Sequence, residues 1–110
     1  MMDIKYLSEE EYHELLRLLK LNHIECPKNS PYAFSVITGE AKMIIYNNDC
    51  GLDQDYKRIV IQHERAHLAG VELEEMADRW ALKRLNRKQK KILESEWEHR
   101  HGHKFEEMDA

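Results

Sequence analysis

Cysteine is nearly absent. The chain has two, Cys26 and Cys50, in 110 residues. That is too few for the disulfide framework of a small secreted domain, so a reduced, cytoplasmic protein is the simplest expectation. Long apolar runs are missing too: no stretch approaches the ~20 residues that a membrane span needs. The first residues, Met-Met-Asp-Ile-Lys-Tyr, carry no apolar segment of a secretory signal. An excess of positive charge is also lacking. Seventeen Lys and Arg against 21 Asp and Glu leave a net charge of −4, which argues against a nucleic-acid or membrane-surface protein as a whole. Proline occurs only at Pro27 and Pro31, inside one connector. Repeats and low-complexity linkers are absent.

What is present suffices for one domain over residues 1–110. The chain is 42% hydrophobic and 35% charged, the balance of a soluble, folded protein. Its length permits a modest core but no separate substrate-binding lobes. Ser8, Glu9, Glu10 and Glu11 read as a capping-box helix start with acid at the positive end of the dipole. Tyr12, Leu15, Leu16 and Leu19 then recur at helical spacing; His13 on this helix reads as a surface residue. Residues 21 to 32 are connector, with a short extended piece at His23-Ile24 and an idle thiol at Cys26. Tyr32 to Thr38 and Lys42 to Tyr46 are rich in β-branched and aromatic residues and predict two strands. Thr38-Gly39-Glu40-Ala41 predicts the hairpin turn between them.

Asn47 to Gly51 is a turn cluster. Asp53 or Asp55 then caps a helix from about Tyr56 to His67. Ile59, Val60, Ile61, Ala66 and Leu68 make it the buried central helix. Yet this apolar helix also carries His63, Glu64 and His67. Burying unpaired polar groups costs several kcal/mol; a bound cation or an open cleft would resolve that cost. Residues i and i+4 share one helix face, so His63 and His67 can aim two imidazoles at one ion. Zinc is the default, because imidazole nitrogen and carboxylate oxygen suit it. Glu64 is placed to act on a water at the metal, as in the His-Glu-x-x-His pattern.

A catalytic zinc site normally has three protein ligands and one open position. Gly70 reads as a helix stop, and a new helical pattern begins near Glu72. Leu73, Met76, Ala77, Trp80 and Ala81 are its expected apolar stripe, with Glu72, Glu75 and Arg79 solvated. Glu74 and Asp78 share a face at i, i+4. Glu74 is the expected third ligand, with Glu72 and Glu75 as alternatives. Asp78 can accept a hydrogen bond from the far nitrogen of a ligand histidine, which fixes its tautomer.

His63-Glu-x-x-His67 followed by Glu74-x-x-Ala-Asp78-x-Trp-Ala resembles the gluzincin metallopeptidases. In particular it is similar to the small ImmA/IrrE-type proteins, over about residues 58 to 82. The resemblance implies His63, His67 and Glu74 as metal ligands, Glu64 as general base and Asp78 as support. It also implies a minimal zincin-like fold and a specific protein substrate, often a repressor in a phage or mobile element. Arg65 is charged where that family usually has an uncharged residue. Six residues separate His67 from Glu74, where relatives often carry a longer insert.

Lys83 to Lys91 holds six basic residues in nine; in a net acidic chain without interleaved aromatics it reads as a solvated face. A last helix from about Arg87 to Arg100 packs through Ile92, Leu93 and Trp97. His99-Arg-His-Gly-His103 suits a loop or frayed end outside the site. The expectation is therefore an α+β domain: N-terminal helix, small antiparallel or mixed sheet, His-Glu-x-x-His helix, glutamate helix and C-terminal helix. Its expected activity is zinc-dependent hydrolysis of peptide bonds. Tyr46, Tyr56 and Arg65 are the candidate oxyanion donors. A zinc-stabilised or degenerate protein-binding module, and a hydrolase of a non-peptide amide, remain open alternatives.

Overall fold

Short β-branched and aromatic segments pair into a sheet, and amphipathic helices cover its two faces. A computed structural model describes residues 3–22, 31–37, 39 and 42–102. In chain order the elements are β1 (Asp3–Leu7), α1 (Glu9–Leu21), β2 (Ala33–Ile37), β3 (Lys42–Asn47), α2 (Gln54–Leu68), α3 (Glu74–Leu82) and α4 (Arg87–His101). The architecture is α+β, as expected. The expected His23-Ile24 piece, Cys26, and most of the expected hairpin turn (Thr38, Glu40 and Ala41) lie outside the described residues, as does His103.

The sheet is mixed, in the order β1-β3-β2. β2 runs antiparallel to β3, with Phe34 opposite Ile45. β1 runs parallel to β3, with Ile4 opposite Ile44. β1 is an addition to the expected elements. It is five residues long and its partner is remote in sequence, so no local hairpin signal marks it.

Successive side chains of a strand point to opposite faces. On one face Phe34, Val36 and Ile45 pack with Tyr12 and Leu16 of α1. On the other, Ala33, Ile44 and Tyr46 meet Ile61 and Leu68 of α2. Both faces being covered, the Met-Ile-Ile-Tyr run of β3 is apolar without alternation. A third cluster joins Ile59 of α2 to Ala81, Leu85 and Leu93. The second helix is thus held between the sheet and the α3–α4 pair, the central position expected for it. Trp97 of α4 is completely buried.

Local chemistry sets the helix ends. Ser8 and Glu11 form the expected capping box on α1. Asp53, rather than Asp55, caps α2 by accepting the Tyr56 N–H at 2.9 Å. Asp55 instead accepts from the Gln89 amide at 3.1 Å and pairs with Lys88 at 3.0 Å, tying the start of α4 to α2. The end of α2 is a Schellman motif. The Val71 N–H bonds the Ala66 carbonyl at 3.0 Å, and the Gly70 N–H bonds that of His67 at 3.1 Å. Gly70 has φ +96°, a left-handed conformation that costs glycine least.

Two expectations about the later helices need correction. The glutamate helix begins at Glu74, with Leu73 as an N-cap that makes no side-chain bond, not near Glu72. Its inward residues are Ala77, Asp78 and Ala81, while Leu73 and Met76 are 69% and 45% exposed. Trp80 and Arg79 are half-buried. Trp80 carries the Arg84 guanidinium 3.4 Å above its ring. Small alanines and a hydrogen bond that Asp78 accepts from α2, not the bulky apolar residues, set the rotation of α3. The second concerns the His-rich segment, expected as a loop or frayed end: His99 and His101 lie in the last turn of α4, which runs one residue beyond the expected Arg100, and the helix stops at Gly102, φ +73°. Most of the basic stretch from Lys83 to Lys91 is exposed. Among the described residues, no helix is long and apolar enough to cross a membrane.

Candidate metal centre

The i, i+4 spacing on α2 brings the rings of His63 and His67 to 4.8 Å between centroids, with planes 79° apart. Their Nε2 atoms are 3.1 Å apart. The tight Schellman stop returns the chain at once, so the first residue of α3 faces α2. Glu74 Oε2 lies 2.6 Å from His63 Nε2, and Glu74 Oε1 lies 3.3 Å from His67 Nε2. The positive end of the α3 dipole favours the carboxylate there.

The outer nitrogens are already committed. His67 Nδ1–H donates to the Val71 carbonyl at 2.8 Å. His63 Nδ1–H donates to Asp78 Oδ1 at 2.7 Å. Each imidazole, if neutral, therefore turns its Nε2 lone pair toward the other and toward the Glu74 carboxylate. Three electron-pair donors converge with no hydrogen of their own between them. A cation or a captured proton must reconcile them. Two imidazole nitrogens and a carboxylate oxygen are a donor set that suits zinc, so the residues fit the ion that the sequence implies. His63, His67 and Glu74 are the three residues of this group, and no fourth His, Cys, Asp or Glu joins it among the described residues. Glu72 and Glu75, the alternative ligands, are exposed and stand apart from it.

Asp78 binds more than His63. Its Oδ2 accepts from Arg100 at 3.2 Å, so a chain His63–Asp78–Arg100 links α2, α3 and α4. The Asp78 side chain is only 7% exposed, and the two hydrogen bonds satisfy a carboxylate that burial would otherwise penalise. Burial pulls the pKa of His63 down. The Asp78 hydrogen bond, and the charges of Asp78, Glu74 and Glu64, outweigh burial and leave it raised. Glu64 is buried as well. Burial is the main reason its carboxyl is held above the usual range, against the opposing charges of His63 and His67. The buried Ser35 hydroxyl on β2 faces Glu64 and favours its ionised form, though without full hydrogen-bonding contact.

His63, Glu64, Glu74 and Asp78 open onto a cavity of about 230 Å³, whose wall includes Tyr32 and Arg100. None of the three expected oxyanion donors lines it. Tyr46 is buried against the sheet and accepts from the Cys50 thiol at 3.2 Å. Tyr56 is turned toward Glu96, whose charge raises the phenol's pKa. Arg65 lies on the other side of α2. The phenol at the cavity is Tyr32, which the sequence offered only as the first residue of a strand. Arg100 stood only as the last residue of a helix, with no sign of its bond to Asp78. No protein-family model, curated protein or solved structure matches the chain.

Proposed function

We propose that this chain is a zinc-dependent metallopeptidase with a minimal zincin-like domain. One observation carries the reading: His63 Nε2, His67 Nε2 and Glu74 converge while both Nδ1 atoms are already bonded to oxygen. His63, His67 and Glu74 would hold the ion, Asp78 would orient His63, and Glu64 would be the general base. A structural zinc site is normally closed by four protein ligands, whereas a catalytic one keeps a position open. The three-residue group supports the catalytic reading over a zinc-stabilised binding module. When bound, zinc supplies a Lewis acid for a carbonyl oxygen and eases deprotonation of water.

The chain's own residues supply the rest. Glu64 takes the proton from the attacking water and later delivers it to the leaving amine. Its burial strengthens it as a base, which suits that task near neutral pH. Asp78, clamped by Arg100, keeps the His63 ring from turning. Tyr32, on the cavity wall, is the candidate donor to the oxyanion. Among the described residues β2 pairs with β3 alone, and Ser35 on β2 faces Glu64. An extended substrate segment added to the outer edge of β2 would pass the centre by strand addition. That edge favours a peptide over a non-peptide amide. The likeness to ImmA/IrrE-type proteins supports a single protein substrate.

The test is zinc content together with cleavage. Protein purified without added metal should carry one zinc per chain by elemental analysis. It should also cut members of a peptide library in a chelator-sensitive way. Absence of stoichiometric zinc after reconstitution would remove the reading.

A further inference from the structure

The other side of α2 carries a larger cavity, of about 420 Å³, within the ~300–1,000 Å³ usual for small-molecule sites. β1 supplies Tyr6 to its wall, and α2 supplies Lys57, Arg58, Gln62 and Arg65. The α2 face involved is the one turned away from His63 and Glu64. Three cations line it with no carboxylate in the wall, in a chain whose net charge is −4.

These cations differ from three on α1 and α4. Arg17, Lys88 and Arg100 each pair with a carboxylate. Lys57 instead rests over the rings of Tyr6 and Tyr46, at 4.7 and 5.3 Å from their centroids. Arg58 and Arg65 make no ion pair among the described residues. Uncompensated like charges lining one cavity give it a positive potential, which a bound anion would relieve. Two polar atoms are also left over. Gln62 is only 3% exposed, yet its Oε1 has no hydrogen-bond partner among the described residues, and the same is true of the buried Arg65 Nε. A buried amide oxygen without a donor is costly. The wall thus asks for an anion and for a hydrogen-bond donor in one ligand.

We infer that this cavity is a second site, which binds a nucleoside phosphate through Lys57, Arg58 and Arg65, with Gln62 reading the base. A phosphate carries up to two negative charges, enough for several cations, and the arginine fork matches its oxygens. A side-chain amide matches the donors and acceptors of a base edge. Tyr6, half exposed, adds aromatic surface beside them. The inference is independent of the metallopeptidase reading, since it uses none of the metal-centre residues.

Adenosine monophosphate, adenosine and inorganic phosphate are the probes, each titrated into the intact isotope-labelled chain and followed by amide NMR shifts. The nucleotide should bind saturably and shift the amides of Tyr6, Lys57, Arg58 and Arg65. Adenosine and phosphate should each bind about tenfold more weakly or worse, and Arg58→Glu should weaken the nucleotide by about tenfold or more. Arg58 is exposed, so this variant should keep the wild-type melting temperature. Lys57→Gln gives an independent second reading of the same loss. No saturation at millimolar nucleotide would overturn the inference. So would shifts centred on His63 and His67, or unchanged binding in both variants. Phosphate binding as tightly as the nucleotide would overturn the nucleoside assignment.

Discussion

His63 Nε2 and Glu74 Oε2 approach to 2.6 Å from two different helices. The contact depends on the turn between them. Val71 both closes the Schellman stop through its N–H and accepts the His67 Nδ1 hydrogen through its carbonyl. One residue thus ends the helix and orients a candidate ligand. The six-residue spacer between His67 and Glu74 is therefore long enough. A tight stop lets the glutamate follow almost immediately.

Removing a donor from the three-residue group should cost zinc binding. Glu74→Gln and His67→Ala should each lose zinc affinity by more than the 10–100-fold (order of magnitude) typical of losing an outer partner. Glu75→Gln, at an exposed position, should bind zinc as the wild type does. Competition with a chromophoric chelator measures all three. Zinc should also raise the melting temperature in a concentration-dependent way, by about 2.7 kcal/mol of stability at a hundredfold excess over Kd. Equal affinity in Glu74→Gln and Glu75→Gln would exclude Glu74 as the third ligand.

Glu64→Gln separates chemistry from binding. The amide is nearly isosteric but cannot take a proton, so turnover should fall by about 10²–10⁴-fold. Zinc stoichiometry should not change, because Glu64 lies outside the ligand group. The variant should keep or gain stability, since a neutral amide replaces a carboxyl whose ionisation burial opposes. A variant that loses zinc along with activity would make Glu64 a structural residue instead.

The Asp78–Arg100 pair predicts a graded effect. Asp78→Asn keeps the shape but removes the charge that holds the Nδ1–H of His63, and zinc affinity should drop by about 10–100-fold. Arg100→Met leaves that hydrogen bond in place and removes only the clamp on the other oxygen. Its effect should be smaller, within about tenfold, because Arg100 is half exposed and such pairs contribute little. The reverse order, measured by the same competition, would contradict the proposed roles.

What the sequence disclosed follows from how local each signal is. Ser8 with Glu11, Asp53, Gly70, and the i, i+4 pair of histidines act within a turn or two, and the structure has each where its pattern implies. The non-local features escaped. β1 pairs with a strand far along the chain, and its five residues contain only Ile4, Tyr6 and Leu7 as apolar signals. The rotation of α3 departs from its apolar pattern because Leu73 and Met76, though hydrophobic, are exposed. Asp78 is held inside by the expected bond from His63 and by one from Arg100 that no local signal marks. Arg100 and Tyr32 reach the cavity through tertiary packing, which no spacing rule records.

Tyr46 gives the fold an alkaline weak point. It is 2% exposed, and burial pushes its phenol well above the ordinary value, helped by the hydrogen bond from Cys50. An unfolded tyrosine ionises near pH 10, as a rough reference value. Below that pH both states keep the proton, and the buried phenol contributes in full. Above it the unfolded state sheds its proton first, so stability falls as pH rises toward the folded pKa. The slope from this one group approaches ~1.4 kcal/mol per pH unit. Tyr46→Phe removes the titration. At neutral pH it should lose about 0.5–1.5 kcal/mol with the Cys50 hydrogen bond. From about pH 10 upward its unfolding free energy should decline less steeply than that of the wild type. Urea unfolding at a series of alkaline pH values measures both slopes. Parallel slopes would mean that Tyr46 ionises no less readily folded than unfolded, and that other groups cause the alkaline loss.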